Sequence, residues 1–219
     1  TGPKTKTELE VHTHSSSGGG FNATLDQLER AGFIVKVPSL DLEKQSHKSR
    51  TIRYKLWDEW IRFYFTYIRD NLHTIYNQDE GVLPHQIEKS LPSYFGIAFE
   101  SLCMKNILTI CKKMGISSQS IIKFGSYFKQ ASCKTGLSGA QFDICIIRKG
   151  QILTLIECKY TENPVGLEVV HEMESKISNI RIPTKYTIEK VLITASGVTP
   201  EVIKKDYFHH ILGLECLFG

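Results

Sequence analysis

Gln141-Phe142-Asp143-Ile144-Cys145-Ile146-Ile147 and Ile152-Leu153-Thr154-Leu155-Ile156-Glu157-Cys158-Lys159, joined through Arg148-Lys149-Gly150, read as two strands of one antiparallel hairpin. Strand side chains alternate between faces, so Gln141 and Asp143 share one face while Phe142, Ile144 and Ile146 share the other. On the second strand Glu157 and Lys159 lie together. Across the turn the pairing sets Asp143 near Glu157, so two carboxylates and a lysine can converge within one side-chain length. Strands this apolar have no structural need for such a cluster.

Chemistry has a use for it. Two adjacent carboxylates repel, and a hard divalent cation such as Mg²⁺ (or Mn²⁺) relieves the repulsion through oxygen ligands. Such an ion acidifies water and polarises a phosphoryl oxygen. Lys159 beside it can orient that water or neutralise charge on a transferring phosphate. The reaction class that suits the set is metal-assisted phosphodiester hydrolysis.

Working outward, Tyr94 to Met114 reads as a long helix with Glu100 among its apolar positions. A strand over 119–128 and a Gly/Ser loop at 134–139 lead into the hairpin strands at 140–148 and 151–159. A helix over 165–180, a strand over 187–194, a short helix over 199–206 and a last strand over 211–217 follow. This order predicts an α/β domain with a mixed sheet flanked by helices. Lys123, Lys129 and Lys134 lie on or near strands beside the proposed site, together with Arg148 and Lys149, and are candidates to hold phosphates. His171 and Glu172 follow on the next helix and are candidates to reach the cleft, whereas His209-His210 reads as a surface turn.

The N-terminal part differs in kind. A small, polar run at 12–20 reads as a turn, and Phe21, Leu25 and Leu28 recur at helical spacing before Gly32. Strands at 33–37 and 51–56 flank a polar tip at 41–50. A helix followed by such a hairpin resembles a winged-helix module, whose wing here carries Lys44, Lys48, Arg50 and Arg53 as candidate nucleic-acid contacts. Trp57, Trp60, Ile61, Tyr64, Phe65 and Ile68 then fall on one wide helical stripe, a packing helix more than a base-stacking one. The expected division is a winged-helix module over 1–78, a linker over 79–93 containing a short helix near 83–90, and the α/β domain over 94–219.

Glu100 on a helix, then Asp143, then an apolar strand ending Glu157-Cys158-Lys159, then a further helix, resembles the restriction-endonuclease-like, PD-(D/E)xK nuclease core. The resemblance implies Asp143, Glu157 and Glu100 as metal ligands and Lys159 as the residue that activates water. Phe142 stands where that family often has proline, and Gln141 where related domains are commonly acidic. Taken together with the winged helix, the Phe63-Tyr64-Phe65 and Phe95-Gly96-Ile97-Ala98-Phe99-Glu100 stretches and the aromatic tail, nearly the whole chain resembles the C-terminal region of the archaeal-type AAA+ ATPase family. That resemblance implies DNA as a partner, a P-loop ATPase in front, and ATP binding confined to that part, since no Gly-x-x-x-x-Gly-Lys-[Ser/Thr] occurs here. A non-catalytic DNA-binding or protein-docking regulatory domain is the rival expectation.

Composition bounds these readings. The chain has 219 residues, 41% hydrophobic and 23% charged, which is ordinary globular usage. The net charge of +4 is too small for a histone-like binder, and the whole excess falls in 94–219, with 15 basic against 11 acidic side chains. The six cysteines are scattered without zinc-like spacing, and no run approaches the roughly 18 apolar residues of a membrane span, so a cytoplasmic protein with no membrane partner is expected. The start Thr1-Gly2-Pro3, without initiator Met or signal region, reads as a piece of a longer protein.

Overall fold

In the computed structural model, residues 3–15, 18–38, 40, 42, 52–77, 87–129 and 139–218 are described. The chain forms two compact units, one of residues 1–38 and 50–94, the other of 39–49 and 95–219.

The first unit opens with β1 (Lys4–Thr5) and α1 (Lys6–Thr13). Thr5 caps α1 reciprocally with Glu8: its hydroxyl accepts from the Glu8 N–H while the Glu8 carboxylate accepts from the Thr5 N–H. A turn was expected from residue 12, but this helix runs to Thr13 and closes on His14 in the left-handed region. α2 (Gly19–Arg30) follows and buries Leu25. It ends on Gly32 at φ 79, where the Phe33 N–H reaches the Leu28 carbonyl and the Gly32 N–H the Glu29 carbonyl. β2 (Ile34–Pro38) and β3 (Ile52–Leu56) pair antiparallel, and β1 adds to the outer side of β3. Most of the polar tip at 41–50, including Lys44, Lys48 and Arg50, lies outside the described residues.

α3 (Glu59–Phe63) starts with the Asp58 carboxylate accepting from the Ile61 N–H. It widens into a π-helix over Tyr64–Ile68, then a 3₁₀ turn and α4 (Leu72–Tyr76). The wider turn rotates the stripe away from the expected one. Tyr67, which the expected stripe omits, is buried against Phe63 and Tyr94, with ring centroids 5.3 and 5.4 Å away, whereas Trp60 and Phe65 are exposed. Of the expected linker, 79–86 lies outside the described residues, and α5 (Leu91–Lys105) already begins within the remainder.

The second unit is a five-stranded mixed sheet with helices on both faces. β4 (Ile121–Lys129), β5 (Ala140–Arg148) and β6 (Ile152–Lys159) run antiparallel in sequence. β7 (Thr187–Thr194) lies parallel to β6, and β8 (His210–Leu212) parallel to β7. A parallel neighbour requires a crossover, which α7 (Glu168–Ser178) supplies between β6 and β7 and α8 (Pro200–Lys205) between β7 and β8. The expected helix over 94–114 is two, α5 and α6 (Ile107–Lys113), broken at Asn106. The expected final strand stops at Leu212 and gives way to a 3₁₀ turn over Leu214–Leu217.

Two apolar clusters sandwich the sheet. Phe99, Cys103, Ile107 and Ile110 from α5 and α6 meet Ile144, Ile146, Ile156 and Ile193 on one face. Val169, Val170 and Met173 from α7 meet Phe142, Cys145, Leu155 and Leu192 on the other. This corrects the expected alternation on β5, where Phe142 was to share a face with Ile144 and Ile146. The pairing with β4 slips between Gly125 and Tyr127, whose partners are Cys145 and Phe142, so an extra β5 residue is accommodated at 143–144. A bulge of this kind reverses the facing of everything beyond it.

Leu40 and Leu42 complete the second cluster, and the Leu40 N–H donates to the Ser126 carbonyl. The sequence division had assigned them to the first module. Leu40→Ala is expected to destabilise the second unit by about 2–4 kcal/mol in urea unfolding, because a side chain 2% exposed leaves a cavity when truncated. A change within about 0.5 kcal/mol contradicts its place in that core.

Candidate functional site

β5 and β6 carry the acids to one place. The last hydrogen-bonded pair of their ladder is Ile144 opposite Ile156, so Asp143 and Glu157 come next in register. Asp143 sits in the β5 irregularity, and its Oδ2 accepts from the Cys158 N–H at 2.9 Å. A cleft of about 410 Å³ at this end of the sheet is lined by Glu100 and Gly96 from α5, Gln141 and Asp143 from β5, Glu157 and Lys159 from β6, and Lys176 from α7. All four residues singled out in the sequence, Glu100, Asp143, Glu157 and Lys159, therefore reach one cavity.

The electrostatics are severe. Burial, then the neighbouring Glu157 and Glu100 carboxylates, push Asp143 up to about 8, against smaller opposing effects of the Cys158 N–H and the Lys176 ammonium. Glu157 is only 4% exposed, with Oε1 accepting from Lys176 Nζ at 2.5 Å and lying 3.4 Å from Lys159 Nζ. Its Oε2 is buried without a hydrogen-bond partner. Such an atom is uncommon in folded proteins, because each costs about 1–3 kcal/mol of unrecovered solvation. For Lys159, desolvation acts downward but is outweighed by Glu172, which accepts its ammonium proton at 2.5 Å, and by Glu157, so the group is held charged above its ordinary value.

Lys176 is the site residue that the sequence reading missed. Its signal was Glu172 four residues earlier, one turn away on the same helical face, with Glu172 already a candidate. His171, the other candidate there, points instead to Glu174 and is exposed. Lys123 and Lys129 sit on β4 and do not line the cleft, and Lys134 lies outside the described residues. In the first unit, Arg53 is tied to the Pro3 carbonyl at 3.0 Å and lies 3.5 Å from Glu8. His210 is in β8, 3.8 Å from Glu189, not in a surface turn. Five cysteines are free and buried, and Cys133 lies outside the described residues.

Among the described residues no three His, Cys, Asp or Glu side chains stand in ready metal-ligating geometry. The acids nevertheless fit a hard cation by chemistry: carboxylate oxygens are its ligands, one is buried unsatisfied, and the Asp143 proton is the kind that a cation displaces.

Residues 64–177 match DUF234, a family described as archaeal and bacterial proteins of unknown function. That span is more than half of the sequence. The chain belongs to the DUF234 family. It is also similar, at 18% identity over 53% of its length, to the crystal structure of a protein of unknown function, AF1548, with a TM-score of 0.35, and spans 58% of that chain. No curated protein matches. Among the described residues no helix is long and apolar enough to cross a membrane.

Two outcomes follow for this DUF234 member. Because the folded Asp143 binds its proton up to about 8, against 3.8 for the unperturbed group, stability from this proton is full below about pH 4 and lost as pH rises through 8. Asp143→Asn keeps the acceptor for Cys158 without the charge. It is expected to raise the calorimetric Tm at pH 9, by about 2–4 °C for each kcal/mol of relieved crowding, with little change at pH 4; a gap that does not widen with pH contradicts the crowding. Lys176→Met is expected to cost about 1–3 kcal/mol, and much of that loss is to disappear when Glu157→Gln is added, since the lysine answers that carboxylate.

Proposed function

We propose that this DUF234 protein hydrolyses a DNA phosphodiester with Mg²⁺ or Mn²⁺, through a PD-(D/E)xK nuclease-like second unit preceded by a winged-helix first unit. The observation that carries the reading is the convergence of Glu100, Asp143, Glu157 and Lys159 on one cleft in which a Glu157 oxygen is buried without a partner. The helix–β–β–β–helix order with a bulged central strand supports it as well.

In this reading Asp143 and Glu157 hold the divalent ion, with Glu100 completing the acidic set from α5. The ion, when bound, acidifies water and polarises the phosphoryl oxygen. Asp143 gives up its proton on loading, which its position at about 8 makes easy near neutral pH. Lys159, charged and braced by Glu172, orients the attacking water and offsets charge on the phosphate. Lys176 donates to Glu157 Oε1 and adds a second cation beside Lys159 in the cleft. The resemblance to the AAA+ ATPase family adds a P-loop ATPase of the same parent protein as the partner of both units, and ATP as its ligand.

A non-catalytic docking role is the second reading. It is favoured by Trp60 and Tyr76, which leave 67% and 80% of their surface exposed on the first unit.

Plasmid nicking separates the two. With Mg²⁺ or Mn²⁺, wild type is expected to relax supercoiled DNA, and Asp143→Asn, Glu157→Gln or Lys159→Met to lose at least about a hundredfold in rate. Absence of cleavage with either ion, or cleavage that the variants retain, overturns the catalytic reading.

A further inference from the structure

An aromatic shelf adjoins the carboxylate cleft. Tyr160 follows Lys159 at the end of β6 and lines the same cavity. Its ring centroid lies 5.5 Å from Phe95 and 5.9 Å from Phe99, both on α5. Phe99 is buried and anchors the group in the core, whereas Tyr160 and Phe95 leave 41% and 40% of their surface exposed. Gly96 lines the cleft next to Phe95, and a methyl group built on it would meet nothing within 4 Å, so the space above this turn of α5 is open.

Packing alone does not require this. A strand buried along its length, as β6 is, ordinarily ends in a polar residue once it leaves the sheet, and a tyrosine that served only the core would be covered. Here one edge of the ring cluster is anchored and the other faces a cavity whose lining carries five ionisable side chains, Glu100, Asp143, Glu157, Lys159 and Lys176. A flat apolar surface three residues beyond Glu157, about 10 Å along the strand, matches a ligand that is itself part aromatic plane and part anion.

We propose that Tyr160, backed by Phe95 and Phe99, is a base-stacking subsite, so that the cleft takes DNA presenting an unpaired nucleotide beside the phosphodiester. The inference rests on the phosphodiester reading above and names its substrate class. In a duplex both faces of a base are covered by neighbouring pairs; only an unstacked base can lie on an aromatic ring, and such stacking tolerates any sequence. Lys159 and Lys176 supply the cations for the adjoining phosphate. Single strands and unpaired ends are therefore bound in preference to blunt duplex.

The test uses the full chain carrying Asp143→Asn, which prevents hydrolysis and lowers the negative charge of the cleft. Fluorescein-labelled single-stranded and blunt duplex oligonucleotides of the same sequence are titrated by anisotropy at low salt. The single strand is expected to bind about tenfold or more tightly than the duplex. Adding Tyr160→Ala should weaken single-strand binding at least about fivefold and leave duplex binding unchanged. Tyr160→Phe keeps the ring and the affinity, and Tyr160→Leu keeps the apolar contact with Phe95 and Phe99 but loses the affinity; thermal melts confirm that each variant is folded. Single-strand binding that ignores Tyr160→Ala, or equal affinity for both DNAs, overturns the subsite even where plasmid is nicked. Tyr160-dependent binding with no nicking supports the subsite and removes hydrolysis alone. No DNA binding at all overturns both.

Discussion

Three carboxylates share the end of the two central strands, and most of the second unit's arrangement answers that one repulsion. A buried carboxylate must be paired, protonated or solvated. Glu157 is paired through Oε1 by Lys176 and Lys159, and Asp143 takes the other route, retaining a proton up to about 8. Neither solution is complete, because Glu157 Oε2 lacks a partner. A sheet that needed only to be stable would place leucine or valine at these positions, as it does at Leu155 and Val191.

The same sheet shows what a purely structural acid looks like. Glu189 on β7 stands opposite Thr154 in the parallel ladder, and its Oε2 accepts from the Thr154 hydroxyl and from Arg148, each at 2.6 Å. There one carboxylate meets a guanidinium and a hydroxyl, with His210 3.8 Å away, and among the described residues no second acid is paired with them. At Asp143 and Glu157 acids crowd together and depend on lysines that reach in from a helix and a strand end. The contrast between two acidic positions on one sheet argues for a site more strongly than the presence of acids does.

Much of this was legible in the residues. The hairpin over 140–159 and the nearness of Asp143 to Glu157 follow from two apolar strands and a short turn, because strand pairing is local there, whereas the exact register and the facing of Phe142 do not, since Arg148 pairs with Ile152 and β5 bulges at 143–144. The parallel strands follow from helices of crossover length. What escaped was set by tertiary contacts. The bulge at 143–144 cannot be read from Asp143-Ile144, since its cause is the mismatch with β4, whose pairing partner lies beyond the 134–139 loop. Nor does periodicity separate Trp60 from Tyr67, which lie seven residues apart on one helical face: Tyr67 is buried because Phe63 and Tyr94 pack on it, whereas Trp60 is exposed. Leu40 and Leu42 join the core of a unit from which they are separated by more than fifty residues of sequence. By contrast the Thr5-x-x-Glu8 box that starts α1 was present in the sequence as a local signal and was simply unused.

α7 shows how one short helix can organise the whole cleft. Glu172 and Lys176 lie one turn apart and address neighbouring, oppositely charged residues of one strand: Glu172 takes Lys159 and Lys176 takes Glu157, each at 2.5 Å. Without Glu172, the nearest anion for Lys159 would be Glu157, now 3.4 Å away. Glu172 holds the Lys159 ammonium from the helix side while that ammonium also pairs with Glu157 Oε1, the oxygen that Lys176 contacts as well. The charges thus pair across the helix and the strand through Glu157 Oε1, while Oε2 is left without a partner. Val169, Val170 and Met173, buried on the apolar face of the same helix, fix the rotation that makes this geometry possible, so the packing of the sheet and the chemistry of its cleft depend on one element.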